Sequence, residues 1–507
     1  MLFHTWIFIL FFCIVYPVHL LTRRTRLEMP WLLLASYVFY GSWNPLFLPL
    51  LIYASIVDYF VVWGMEGSQR KKLWLAAGVS NHIGLLAFFK YSGFVTRNLN
   101  ALFEKLGLGL AIPDPEGVLV YVNAGAAKLN ALLAHVGFPF AIPHQTTLLL
   151  VGISFFTFQS MSYIIDVYRG HMPRERNFIR YATYVCFFPQ LVAGPIERAG
   201  NLLRQLSEKR TIARTDIADG LSLFVVGFFK KVALADYLAL YVDKVYGAPG
   251  QFSGAALFLA TVAFGWQIYF DFAGYTDMAR GVARLLGIRL MLNFNNPYLA
   301  DGLGDFWQRW HISLSTWFKD YVYIPLGGNR GGEWGTYRNM FLTMVISGIW
   351  HGAAWTFLIW GALHATGRVC TRAVERTVFY RERIPRLAKQ VLVFLFVTFT
   401  WIFFRASSVS DAWLIVTRIF TAGWLPPEAF EAGPSWLIGA RILTAGSLPL
   451  LAVGLVLSLW LYQYVYESRA RWLLDRSPIR VGFVLFAIAY MALFTSPGSM
   501  TFIYFQF

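Results

Sequence analysis

Long apolar blocks separated by short polar breaks run the length of the chain. A helix that crosses a bilayer needs about 20 mostly apolar residues. Residues 1–21 form the first such block, and Arg23-Arg24-Thr25-Arg26 follows it. The charges come after the apolar run, so the pattern predicts an uncleaved span rather than a secretory signal, with the amino terminus outside. Further spans are predicted near 31–42 and 45–63, broken at Gly41-Ser42-Trp43-Asn44-Pro45, then 73–91, 146–167 and 181–194. The series continues with 221–245, 255–275, 340–365, 390–404, 411–421, 437–462 and 480–496. Several are short or interrupted by Gly or Pro. Some must therefore be re-entrant, which a bilayer tolerates only where protein or a water-filled cavity covers the backbone. The expectation is about 11 spans.

Composition agrees: hydrophobic residues make up 57% of the 507 residues and charged residues 14%, against about 25% charged in a soluble domain. The formal net charge of +16 would suggest nucleic acid in a soluble protein. Here the basic residues lie in loops between apolar segments, which is how a membrane protein is oriented. No nucleic-acid partner is expected. Arg169–Arg214 carries nine Arg and Lys against three Glu, and Arg368–Lys389 seven against two. Both loops are predicted to be cytoplasmic. From Leu106 to Tyr168 the one basic residue besides His is Lys128, so 106–145 is predicted to face the periplasm, with 118–137 as an interfacial helix. No repeat or soluble domain interrupts the chain, and residues 1–507 are read as one transmembrane domain. The three Cys, Cys13, Cys186 and Cys370, are far apart and without a CxxC, so they read as packing residues.

Of nine His, most sit at span ends or in loops, and His82 reads as a lone His in an apolar helix. His311 and His351 differ. His311 lies in Asp305-Phe-Trp-Gln-Arg-Trp-His-Ile-Ser-Leu-Ser-Thr-Trp, and His351 in Ser347-Gly-Ile-Trp-His-Gly-Ala-Ala-Trp inside the apolar run 340–365. An ionisable residue at membrane depth is costly and marks function by default. Gly348 and Gly352 beside His351 let backbone or substrate approach closely. A neutral imidazole can take a proton from an acceptor hydroxyl, and a thioester donor needs neither metal nor covalent nucleophile. No His-x4-Asp, G-x-S-x-G, G-x4-G-K-[ST] or Asp-x-Asp pattern occurs, so other transfer chemistries fit badly. No metal and no permanently bound cofactor are expected. The run Gly327-Gly-Asn-Arg-Gly-Gly332 reads as a tight loop or as a phosphate cradle.

The stretch Asp305-Phe-Trp-Gln-Arg-Trp-His-Ile-Ser-Leu-Ser-Thr-Trp-Phe-Lys-Asp-Tyr-Val-Tyr-Ile-Pro-Leu-Gly-Gly-Asn-Arg strongly resembles the signature of membrane-bound O-acyltransferases, in particular their bacterial alginate O-acetyltransferase branch. Gly152-Ile-Ser-Phe-Phe-Thr-Phe-Gln-Ser-Met-Ser-Tyr, Phe188-Pro-Gln-Leu-Val-Ala-Gly-Pro-Ile-Glu-Arg, Trp350-His-Gly-Ala-Ala-Trp-Thr-Phe and the closing Phe502-Ile-Tyr-Phe-Gln-Phe support it. The resemblance implies an all-α polytopic protein of the bacterial inner membrane. Its tilted helices, about 11 with short and re-entrant ones among them, would ring a central tunnel. The signature and catalytic region would be 296–365. His351 would be catalytic and His311 would share its tunnel, orienting donor or base. Asp305, Arg309, Trp310, Ser313, Ser347, Gly348, Trp350 and Gly352 would support or line the site. Trp317 and Trp355 are expected in the same narrow path. The implied donor is a cytoplasmic thioester such as acetyl-CoA. The acceptor would be a hydroxyl of an exported polysaccharide such as alginate, reached directly or through a periplasmic SGNH-type partner. The same fold acting on peptidoglycan, a cellulose-like polymer or teichoic acid (with D-alanine) is the neighbouring reading, and a transporter or flippase the distant one. Residues 106–145 look longer than the family's usual connection.

Overall fold

Caps, prolines and glycines cut the apolar run into helices. In a computed structural model, residues 1–137, 141–142, 144–145, 150–423, 448–474, 476, 478–479, 481–482 and 485 are described. Among these, every regular element is helical. Parts of the expected spans at 146–167, 437–462 and 480–496, and the closing Phe502–Phe507, lie outside the described residues.

The chain begins with α1 (Trp6–Thr22), opened by the Thr5 hydroxyl, which accepts from Phe8 N–H and so satisfies a donor the helix leaves unpaired. It continues with α2 (Glu28–Gly41) and α3 (Leu48–Met65). The break between them falls at the expected Gly41–Pro45, where the Asn44 side chain accepts from Leu46 N–H. Next, α4 (Lys71–Leu86) runs through a π turn into α5 (Ser92–Lys105), a continuous helix of 35 residues and so longer than the predicted 73–91. Then follow α6 (Val118–His135), α7 (Ile153–Tyr168), α8 (Phe178–Cys186), α9 (Phe188–Leu191) and α10 (Ala199–Ser207). The chain goes on through α11 (Arg214–Phe228), α12 (Asp236–Gly247) and the 32-residue α13 (Gly254–Leu285). The signature region supplies α14 (Leu303–Arg309), α15 (Ile312–Phe318), α16 (Gly332–His351) and α17 (Trp355–Val374). The described chain ends on α18 (Arg386–Arg405), α19 (Val409–Thr421), α20 (Leu448–Glu467) and α21 (Arg471–Leu474).

Among the described residues, five helices are long and apolar enough to cross a membrane: Pro45–Met65, Lys71–Lys105, Pro115–His135, Gly254–Leu285 and Arg386–Arg405. Pro115–His135, expected to lie in the interface, thus also meets the length and composition of a span.

The helices gather in two compact units, residues 1–222 with 279–291, and residues 223–278 with 292–507. In the first, α2 and α3 pack on α8, and α4 packs on α7. Gly152 opens α7 at φ +80°, and a Cβ there would stand 2.9 Å from the Leu191 carbonyl, so the Gly152 and Phe188 motifs interlock. Buried Glu197 of the second motif accepts from Met291 N–H, and from Asn201 at 2.7 Å. His82 is not alone, as the sequence suggested: its Nε2 lies 2.6 Å from Asp58, whose other oxygen accepts from the Tyr181 hydroxyl at 2.9 Å, all three side chains fully buried. The pair was hidden because the partners are 24 residues apart on different helices.

In the second unit, α16 and α17 form an antiparallel hairpin, α18 packs along α17, and α14 rests against α17. The predicted single span 340–365 is in fact this hairpin, bent at Gly352-Ala353-Ala354. Gly, Ala and Ala are as apolar as their neighbours, so hydropathy could not mark the turn.

Candidate active site

His351 is the last residue of α16 and sits at the hairpin tip, 4% exposed. It is thirteen residues from Arg338 along α16, and Trp355, just past the turn, is thirteen from Arg368 along α17. At 1.5 Å per residue the tip therefore lies about 20 Å from the basic ends of both arms. Gly348 lets the arms close: a Cβ on it would lie 2.3 Å from the Phe357 carbonyl and 3.2 Å from the Gly361 Cα. Gly352 is covered by the Phe357 ring, 2.0 Å from where its Cβ would be. The approach these glycines permit is that of α17, not of open space. Ser347, one turn before His351, is buried as well.

Aromatic rings wall the imidazole. Trp350, Trp360 and Phe404 meet His351 edge to face, with centroids at 4.9, 5.0 and 5.3 Å. Trp360 stacks on Trp401 at 5.8 Å, and Trp401 meets Trp310 at 5.1 Å. Trp310, Trp317 and Trp350 are 1%, 5% and 5% exposed, whereas Trp355 is 54% exposed. Trp355 is the first residue of α17.

His311 links α14 to α15 and is fully buried, with φ +42° and ψ +56°. A non-glycine residue held there costs of order 1–3 kcal/mol and persists only where its surroundings fix it. The surroundings are visible. Asn293 and Asn295 pair with the turn through Ile312 N–H to Asn293 O and Asn295 N–H to Arg309 O, both 2.9 Å. The Asn293 side-chain oxygen accepts from Ser313 N–H at 3.2 Å and from the Ser313 hydroxyl at 3.0 Å, and it lies 3.1 Å from His311 Nδ1. An amide oxygen only accepts, so Nδ1 carries the proton, and in the neutral ring Nε2 carries the lone pair. Phe272 meets the ring edge to face at 4.6 Å. Trp350 lies 6.3 Å from His311 and 4.9 Å from His351, and so joins the two His.

Asp305 and Arg309 do not reach either His. They pair with each other at 2.8 Å, and Arg309 continues to Glu467 at 2.7 Å and to the Asn295 carbonyl at 3.3 Å. Partial burial alone would lower the Arg309 pKa, but the Asp305 and Glu467 carboxylates outweigh it and hold the guanidinium charged. The pair braces the loop that carries His311. Sequence reasoning missed Asn293 and also His364, which is fully buried on α17. His364 touches the same Trp360 at 4.8 Å. Its only sequence signal is a position four residues after Trp360, on one helical face.

Comparison with known proteins fits this geometry. The membrane-bound O-acyltransferase family profile matches residues 168–409. A probable alginate O-acetylase of Azotobacter vinelandii is 40% identical over 396 residues, 77% of this chain and 72% of that protein. The chain belongs to the membrane-bound O-acyltransferase family. It is therefore a multi-pass membrane protein and an acyltransferase. A peptidoglycan O-acetyltransferase of Helicobacter pylori is 35% identical over 75% of this chain and 72% of its own. A teichoic acid D-alanyltransferase of Bacillus subtilis is 28% identical over 55% and 72%.

Proposed function

We propose that this acyltransferase takes acetyl from a cytoplasmic thioester, acetyl-CoA, and passes it across a bacterial inner membrane to a hydroxyl of an exported polysaccharide, with His351 as general base. The position of His351, buried at the tip of the α16–α17 hairpin, carries the reading. Neutral His351 removes the proton of the acceptor hydroxyl as its oxygen attacks the thioester carbonyl. The tetrahedral intermediate then expels the thiolate, which takes that proton back from the imidazolium. His311, its proton fixed on Nδ1 by Asn293, orients the donor. Alginate is the favoured polymer, because the alginate O-acetylase relatives are the more similar. Peptidoglycan is the second reading, carried by the 35% identical O-acetyltransferase. An SGNH-type periplasmic protein would serve as relay if transfer is not direct.

The test uses the purified protein in nanodiscs with radiolabelled acetyl-CoA, given alginate or peptidoglycan fragments with and without a periplasmic extract. His351→Ala is expected to lose about 10²–10⁴-fold in transfer while remaining folded by gel filtration. Near-normal transfer by the variant would remove His351 from the chemistry.

A further inference from the structure

The glycine run of the signature, residues 327–332, is a tight turn. Gly327, Gly328 and Gly332 take φ of +113°, +54° and +72°, a region that suits glycine. Its amides are used locally: Gly327 and Gly328 N–H donate to the Ile324 and Tyr323 carbonyls, and Arg330 N–H to the Gly327 carbonyl. The backbone is therefore no phosphate cradle. Side chains beside the turn make a different site. The Tyr323 hydroxyl, which donates to the Asn329 side chain at 2.5 Å, ties the turn to α17. Burial raises the Tyr323 pKa, and the Arg372 and Arg368 guanidinium groups of α17 pull against it from nearby.

The two arginines stand one turn apart on the helix, where like charges repel. Glu375 pairs with Arg368 at 2.7 Å and is itself held by Leu303 N–H at 3.0 Å. Arg372 has no carboxylate partner among the described residues. It is half-buried. Its guanidinium lies 5.7 Å from the centre of the Tyr337 ring and donates to the Met340 sulfur at 3.7 Å, a weak acceptor. A guanidinium carries five donors, so this one has room for an anion, and its planar fork matches phosphate.

Position says which anion. Met340 and Tyr337 are eleven and fourteen residues before His351, about three and four full turns. They therefore lie on the face of α16 that carries His351, about 17–21 Å from it. A pantetheine arm has that span. It is an amide chain about four residues long, so about 15 Å when extended, and a hydrogen-bond length of about 3 Å is added at each end. We propose that Arg372, with Arg368 beside it, binds the phosphate groups of the acyl donor, at the nucleotide end of acetyl-CoA. The assignment of these phosphates to the donor rests on the acyltransfer reading above. An anionic lipid headgroup offers the same chemistry, and the experiment separates the two sources.

Two measurements on the full chain in phosphatidylcholine nanodiscs decide it. The first is calorimetric binding of free coenzyme A, which needs no transfer. Wild type is expected to bind it about 10-fold or more tightly than pantetheine, and Arg372→Gln to lose about that factor. A wild type that binds both alike, or an Arg372→Gln protein that binds coenzyme A as wild type does, overturns the site. The second measurement is kinetic. In Arg372→Gln the KM for acetyl-CoA rises about 10-fold, while the KM for S-acetylpantetheine, which ends before the phosphates, moves by less than about twofold. Equal changes for both donors would make Arg372 a packing residue and overturn the proposal. So would loss of co-purifying phosphatidylglycerol from the variant with coenzyme A binding intact, since the arginine would then hold lipid. Where Arg372→Gln does not fold, Arg372→Met, which keeps an apolar stem on Tyr337, repeats both tests. A wild type that transfers no acetyl would refute the acyltransfer reading, and coenzyme A binding would still judge the site.

Discussion

At the scale of the residue, Asn293 governs His311. One amide oxygen receives the His311 ring proton, the Ser313 amide and the Ser313 hydroxyl, and the neighbouring backbone holds the turn in which His311 takes its left-handed conformation. Asn293→Leu is expected to remove the orienting bond while keeping the bulk, lowering transfer about 10-fold or more and costing about 1–3 kcal/mol of stability. Asn293→Asp keeps an acceptor at the same point and should recover most of the stability. Acetyl transfer beside thermal melts of both variants checks this, and equal activity in wild type and Asn293→Leu would show that the ring needs no such hold. His311 and His351 were legible in the sequence because a titratable side chain in an apolar run has few bland explanations. Asn293 and His364 were not. The first acts across 18 residues of chain. The second follows Trp360 by one turn of α17, and its other contacts, Trp307 and Thr400, come from distant parts of the chain.

At the scale of the element, the α16–α17 hairpin sets the depth of His351, and glycines set the spacing of its arms. Gly348 and Gly335 lie on the same helix but differ in what they face. A Cβ on Gly348 would meet the Phe357 carbonyl at 2.3 Å, which is backbone and yields little, whereas a Cβ on Gly335 meets nothing within 4 Å. Gly348→Ala is therefore expected to destabilise by about 1–3 kcal/mol. Gly335→Ala should stabilise by up to about 1 kcal/mol through helix propensity. Melting curves in one detergent separate the two, and a neutral Gly348→Ala would mean that the arms do not pack through this glycine. A bulky residue at Gly352 would meet α17 first. It would push the Phe357 ring, 2.0 Å from the new Cβ, before it blocked any acyl path. The sequence marked the apolar segments because polar and charged residues bound them, and marked Gly41–Pro45 because Asn and Pro interrupt the run. It did not mark the turn at 352–354, where the residues are small and apolar.

At the scale of the whole molecule, orientation decides which face supplies the donor. The Arg368–Lys389 loop follows α17, so a cytoplasmic loop makes the basic arm ends of the hairpin the donor side and leaves His351 about 20 Å above them. Residues 106–145, with Lys128 as their one basic residue besides His, are expected by charge to face the periplasm. Within them, Asn123 bonds both backbone groups of Gln145 at 2.7 and 2.9 Å and Asn130 both of Ile142 at the same distances, and Asn44, at the break after α2, donates to the Gln145 side chain at 2.7 Å. A cysteine introduced there should therefore report a fixed face. Arg381 and Asp114 are both exposed and suit single-cysteine labelling. Cys13 and Cys370, also exposed, are first changed to Ser, and fully buried Cys186 can stay. With a membrane-impermeant maleimide on intact spheroplasts, Asp114→Cys should label at once and Arg381→Cys only after permeabilisation. The opposite pattern would place the basic loop outside, and would require the acyl donor to approach His351 from the periplasmic face, where acetyl-CoA is not made.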